Sequence, residues 1–166
     1  NIRREMIRYR DAIQYVHDQT VLGMNQGRDV FSLMREIKLP AELDVGEAYG
    51  WVCWSVRGIY EGYMGWFDGD PVNMYAQSPQ SIYADLVQLA GGAEKVVALA
   101  EETLHRGDAV KALLLIEAAL DAEPNNPAVQ AMRLQILTAL RKASGNLNES
   151  GWLNHGIKHT KRQMAP

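Results

Sequence analysis

The chain has 166 residues, 17 Lys plus Arg against 20 Asp plus Glu, 47% hydrophobic residues and 8% aromatic ones. That is the make-up of one compact domain or two small ones, able to bury about 70% of the unfolded surface without disulfide or metal. The net charge of -3 argues against a nucleic-acid binder that works by neutralising phosphates. The single cysteine, Cys53, rules out an internal disulfide framework and a cysteine-only metal site.

No apolar run approaches the roughly 18 to 20 residues of a membrane span, and Asn1-Ile2-Arg3-Arg4-Glu5 lacks the apolar core of a signal peptide. A soluble chain with no membrane span is expected, its compartment left open. A start at Asn1 that enters a helical pattern at once reads as a piece of something longer.

Ile2, Met6, Tyr9, Ile13, Val16, Thr20 and Met24 recur at steps of three or four, which predicts one amphipathic helix over residues 2 to 26. Gly27 supplies its stop. Asp29 is a candidate N-cap for a short helix with Val30, Leu33, Met34 and Ile37 as its apolar face, ending before Leu39-Pro40.

After a short connector, residues 46 to 67 interleave aromatic residues and glycines at helical spacing. Val52, Val56, Ile59, Tyr63 and Phe67 form one stripe, expected to be core, with Tyr60 beside it. Trp51, Trp54, Gly58, Gly62 and Gly65 converge on the other side, a strip almost without side chains. Glycine inside a helix costs about 1 kcal/mol relative to alanine. Three on one face therefore imply that a second helix, another subunit or a ligand comes close, a crossing within the monomer being the plainer of these.

Asp68-Gly69-Asp70-Pro71 marks a turn, and loop continues to Gln77. Ser78-Pro79 opens the next helix, with Ile82, Tyr83, Leu86, Val87 and Leu89 as its buried face, until Gly91-Gly92 interrupts it. Helices are predicted over 93 to 106, 108 to 122, 127 to 143 and 148 to 163, and nothing alternates as a strand does. The fold class is therefore all-α.

Gly107, Asp108, Ala112, Ile116, Ala119, Leu120 and Pro124, with a new helix after Asn126-Pro127, resemble a tetratricopeptide repeat. Small residues at such positions let paired helices approach. Only about one and a half repeats can be read where about three make a solenoid, so a helical array with a repeat-like lobe is expected rather than a peptide-binding superhelix.

The stretches RYRDAIQYVHDQT (8 to 20), WSVRGIYEGYMGWFDGDPVN (54 to 73), LVQLAGGAEKVVALA (86 to 100) and GDAVKALLLIEAALDAEPNNPAVQA (107 to 131), in this order and at these intervals, resemble the alkyl sulfatase dimerisation domain. The likeness spans residues 1 to 166: an aromatic and glycine-rich half (1 to 77), a repeat-like lobe (78 to 145) and a terminal helix (146 to 166). It implies an all-helical module that forms a homodimer and closes the substrate pocket of an upstream metallo-β-lactamase-fold domain, with zinc and sulfate ester hydrolysis belonging to that domain and this chain inactive alone. By the same resemblance Trp54, Arg57 and Trp66 face the substrate, while Gly58, Gly62 and Gly65 lie at the dimer interface or a close helix packing. Some family members carry a histidine at the place of Trp54 and a tyrosine at that of Trp66. An indole can wall an apolar pocket but cannot titrate near neutral pH, so a different ester or a bulkier substrate is compatible with this chain. Arg57 can hold an anionic head group or an interface ion pair.

The family's His-x-His-x-Asp-His motif does not occur here, and no metal site is expected in this chain. Of His17, His105, His155 and His159, only the last two stand at i, i+4, beside Lys158, Lys161 and Arg162, which repel a cation. His17, in line with Ile13 and Met24 and flanked by Asp18, reads as a satisfied core histidine before it reads as a group reaching a neighbouring active site. Gly91-Gly92 lacks the pattern of a phosphate loop, and Cys53 reads as a small apolar filler. No catalytic residue is assigned. The alternative is a free-standing tetratricopeptide-like interaction domain.

Overall fold

The structure, a computed structural model, describes residues 1 to 165. Among these there is no strand. The chain divides into two compact units, Asn1–Tyr75 and the part from Ala76 onward.

The first unit holds α1 (Ile2–Asn25), α2 (Val30–Glu36) and α3 (Val52–Met64), with 3-10 turns at Ala41–Leu43 and Pro71–Met74. α1 ends because Gly27 takes φ +72, which lets the Gly27 N–H reach the Met24 carbonyl (2.9 Å) and the Arg28 N–H reach that of Gly23 (3.1 Å). These are the two bonds of a glycine-terminated helix end. α2 starts where Asp29 accepts the backbone N–H of Ser32 at 2.9 Å. Val16, Leu33, Ile37 and Val56 form the core, flanked by Met24, Met34, Ile59 and Tyr60. Gly23 is buried against the Leu33 side chain, where a Cβ would collide with it.

Three expectations for this unit are corrected. Along α1 only the second half of the apolar stripe is covered: Val16 and Thr20 are buried with Ala12 and Gly23, whereas Ile2, Met6, Tyr9 and Ile13 are 82%, 68%, 58% and 56% exposed. α2 is only two turns long and packs beside the far end of α1, so it cannot reach the first turns. The helix expected from about residue 46 begins at Val52, since Gly46 at φ +78 and the Asp44 carboxylate, which accepts the Gly46 N–H at 2.9 Å, hold the preceding segment in a turn. It ends at Met64 because Gly65 takes φ +70 and ψ -156 as its C-cap. Gly65 therefore leaves the glycine strip, and Tyr63 and Phe67 stay exposed instead of joining the core.

The second unit contains a 3-10 turn at Pro79–Ile82, then α4 (Tyr83–Leu89), α5 (Ala93–His105), α6 (Ala109–Ala122), α7 (Pro127–Ala143) and α8 (Leu147–Gln163). Ser78 and Pro79 open the 3-10 turn rather than α4 itself. Of the face predicted there Val87 is buried, Tyr83 is half-buried, and Ile82, Leu86 and Leu89 are exposed. α4 is two turns long and packs chiefly on α6, so one narrow contact line is all it can bury.

From α5 onward each helix packs on the next. Ala100, Ala112 and Ala119 are fully buried beside Ile116, Val129 and Ile136, small residues bringing helix axes together so that the branched ones fill the space between. Asp108 caps α6 through the Lys111 N–H at 3.0 Å. Asn126 caps α7 through the Ala128 N–H at 2.9 Å, and Pro127 fills its first position. Arg133 of α7 donates to Glu117 of α6 at 2.6 Å and to Thr160 of α8, tying three helices through one side chain.

Candidate functional site

α1 and α3 of the first unit meet along a seam, and the connector before α3 folds back over one end of it. Glu47 makes this possible by accepting the Val52 N–H at 2.6 Å. Trp51, the N-cap residue, has no side chain suited to that bond, so a carboxylate from five residues upstream replaces it. The result is a cleft of about 390 Å³, walled by Tyr9 and Ile13 of α1, Tyr49 and Trp51 of the connector, and Ser55 and Ile59 of α3. Apolar surface with a few hydroxyl groups gives it the chemistry of a binding cavity. The spacing rules miss it because residues 46 to 51 carry the aromatic and glycine mix of the helix that follows. Asp44-Val45-Gly46 was the available signal, an Asx-type turn.

Farther along the seam, His17 Nε2 lies 2.8 Å from the Tyr63 hydroxyl, and His17 Nδ1 lies 3.0 Å from the Asp18 carboxylate. Gln14 donates to the same carboxylate oxygen at 2.7 Å. The hydrogen bonds from His17 and then Gln14 hold the Asp18 carboxyl below the usual carboxylate range. His17 is satisfied, as expected, but half-buried at the edge of the seam rather than in the core. Its pairing with Tyr63 joins residues 46 positions apart, beyond the reach of helical periodicity.

Trp54 sits in the first turn of α3 and Trp66 just beyond its C-cap, both exposed. Ten residues from Trp54 to Met64 span about 15 Å along the axis, so the two indoles lie toward opposite ends of the helix and are not brought together. Trp66 packs on Phe67, ring centres 5.5 Å apart. Arg57 pairs with Glu61 at 2.7 Å and places its guanidinium 5.9 Å from the centre of the Phe31 ring, which orders the cation on the exposed side of α3. Gly58 and Gly62 are exposed, and a Cβ at either would meet nothing within 4 Å. Among the described residues of the first unit no helix crosses this strip.

Burial pushes the Cys53 thiol up, which keeps it in the thiol form and fits a packing role. Among the described residues no three His, Cys, Asp or Glu side chains gather where they could hold a metal ion. His155 and His159 lie exposed on α8. No helix among the described residues is long and apolar enough to cross a membrane.

Residues 31–162 match the family model described as alkyl sulfatase dimerisation, and the match takes in both units, including the segment that resembles a tetratricopeptide repeat. A linear primary-alkylsulfatase of Pseudomonas sp. is 37% identical over 148 residues, 86% of this chain and 28% of that protein. An alkyl/aryl-sulfatase of Saccharomyces cerevisiae is 28% identical over 149 residues, 87% of this chain and 23% of its own length. The solved structure of the stereoselective inverting sec-alkylsulfatase Pisa1 from Pseudomonas sp. aligns with a TM-score of 0.78 at 25% identity, over 93% of this chain and 24% of that one. A double mutant of the sec-alkyl sulfatase PisA1 aligns at 0.81 and 25% identity, over 95% and 25%. The chain thus spans about a quarter of the length of these relatives. A match over most of the chain, running through both units, means that this chain belongs to the alkyl sulfatase dimerisation family.

Proposed function

We propose that the chain is the homodimerisation and substrate-pocket-closing part of a larger sulfate-ester hydrolase of the metallo-β-lactamase fold. Zinc and the hydrolytic step belong to an upstream domain. The exposed stripe of Ile2, Met6, Tyr9 and Ile13 carries this reading. Full burial of each such side chain is worth about 1.5–3 kcal/mol, and two helices with matching stripes bury them by pairing. The bare strip at Gly58 and Gly62 offers a second surface where a backbone can come close. Trp54, Arg57 and Trp66 then face the upstream domain, the indoles as apolar walls and Arg57 as the cation for the sulfate head, exchanging Glu61 for the ligand.

Sedimentation of the chain and of its Met6→Lys/Ile13→Lys variant tests the dimer. We expect a dimer that becomes a folded monomer in the variant. A variant that remains dimeric at the same affinity removes the α1 stripe from the interface.

A further inference from the structure

We propose that Tyr63, His17 and Asp18 form a base-assisted nucleophile that takes an acyl group from activated aryl esters, an activity separate from sulfate-ester hydrolysis. The geometry is the arrangement that activates a weak nucleophile: a hydroxyl within hydrogen-bond reach of a base, and the base oriented by a third group. The distances are 2.8 Å from Tyr63 Oη to His17 Nε2 and 3.0 Å from His17 Nδ1 to Asp18 Oδ1.

An ionised carboxylate only accepts, so the proton of neutral His17 lies on Nδ1, and Nε2 keeps a lone pair aimed at the phenol. Gln14, one helical turn before Asp18, holds that carboxylate in place at 2.7 Å. The low carboxyl range of Asp18 keeps it the acceptor throughout the neutral region. Tyr63 is exposed, so an ester can approach its oxygen from solvent. The two rings meet at a tilt of 57° with centres 5.8 Å apart, leaving the hydroxyl, not the ring face, on the imidazole nitrogen.

In the step itself, Tyr63 Oη attacks the ester carbonyl carbon. The Oη–C bond forms, the bond from carbonyl carbon to aryl oxygen breaks, and the phenol proton passes to His17 Nε2 and then to the departing aryl oxide. The products are O-acyl-Tyr63 and a free phenol, with no change of oxidation state. Tyr63 lies inside the last turn of α3, where its own N–H is committed to the helical ladder. Its amide therefore cannot steady the tetrahedral oxygen, and one acyl group per chain is expected rather than turnover. Tyr63 and His17 are the catalytic residues of this step, and Asp18 is a positioning residue.

The ionisable groups on the elements packed against α1 are Arg35 and Glu36 of α2, Glu42 of the 3-10 turn, and Cys53, Arg57, Tyr60, Glu61 and Tyr63 of α3. Arg57 and Glu61 neutralise one another. Asp18 and Tyr63 are the ionisable groups bonded to the imidazole.

The test is to treat the full 166-residue chain with p-nitrophenyl acetate, follow release of p-nitrophenolate, and map the acetyl group by peptide mass spectrometry. Exposed Tyr75 serves as internal comparator. We expect one acetyl on Tyr63 and a rate about a hundredfold above that of Tyr75, the lower end of a general-base effect. His17→Gln, which can still bond the Tyr63 hydroxyl but is not a base, should remove that advantage at unchanged helicity. Asp18→Asn should weaken it. Acetyl groups spread over lysines and tyrosines, Tyr63 reacting no faster than Tyr75, or a His17→Gln chain that reacts as fast as the parent would each overturn the proposal. Because the readout is the site and rate of acylation, it is distinct from the sedimentation test of the dimer.

Discussion

Replacing Gly58 and Gly62 together by alanine should push the stability of the monomer and the affinity of the dimer in opposite directions. Both glycines are helical residues of α3 without positive φ, and a Cβ at either meets nothing within 4 Å in the chain. Alanine therefore gains the intrinsic helix preference, about 0.8–1.0 kcal/mol at an interior position, somewhat less for Gly62 in the last turn. The sum is roughly 1.5–2 kcal/mol, which for a chain of this size raises Tm by about 3–8 °C. If a second copy lies against the strip, the same methyl groups enter a close-packed interface from both protomers. Overpacking of that kind costs about 1–3 kcal/mol, a loss of roughly 5- to 150-fold in dimer affinity. Thermal melts below the dimer dissociation constant, with sedimentation equilibrium above it, separate the two effects. A higher Tm with an unchanged dimer constant would take the strip out of the interface. A lower Tm in the monomer would refute the reasoning at its base, because it would mean that the chain itself covers these glycines.

Gly65→Ala should instead destabilise the first unit by about 1–3 kcal/mol, since φ +70 with ψ -156 is a region essentially reserved for glycine; urea unfolding measures it, and an unchanged midpoint would contradict the cap geometry. Ile116→Ala, at a fully buried site, should cost about 2–5 kcal/mol, read from the same titration, with a loss under 1 kcal/mol arguing against the α5 to α7 packing. Acid should loosen α2 through Asp29, whose carboxyl is held low by bonds from the Ser32 hydroxyl and backbone N–H. With a folded value below the unfolded one near about 3.9, the unfolded chain binds more protons in between, so the stabilisation is complete above that pH and is lost as pH falls through the folded value. Asp29→Asn keeps a capping oxygen and should flatten the Tm profile on the acid side of the unfolded carboxylate's ordinary range; a variant with the parent's acid slope would assign the effect elsewhere.

The helices were legible in the sequence wherever a stop signal and a period agreed. Gly27, Asp29, Asp108 and Asn126-Pro127 each act within a turn of their own position, through a bond their own residue type can make, so their effect needs no knowledge of the rest of the chain. The family likeness was legible for a related reason, since it rests on residue types at intervals along one chain. Period alone could not tell which apolar residues are covered. Ile2, Met6, Tyr9 and Ile13 continue the same stripe as Val16 and Thr20, yet α2 and α3 reach only the later part, because burial depends on where and how far the neighbouring helices run. Helical spacing runs through the glycine-rich block from about residue 46, but a carboxylate at Glu47 and a left-handed Gly46 delay the start of the helix to Val52, and Gly65 turns from strip into cap. Tertiary structure alone decided the cleft beneath residues 46 to 51 and the Asp18, His17 and Tyr63 chain. The cleft joins α1, the connector and α3, and only packing, which acts through space rather than along the chain, brings the Tyr63 hydroxyl to 2.8 Å from His17 Nε2.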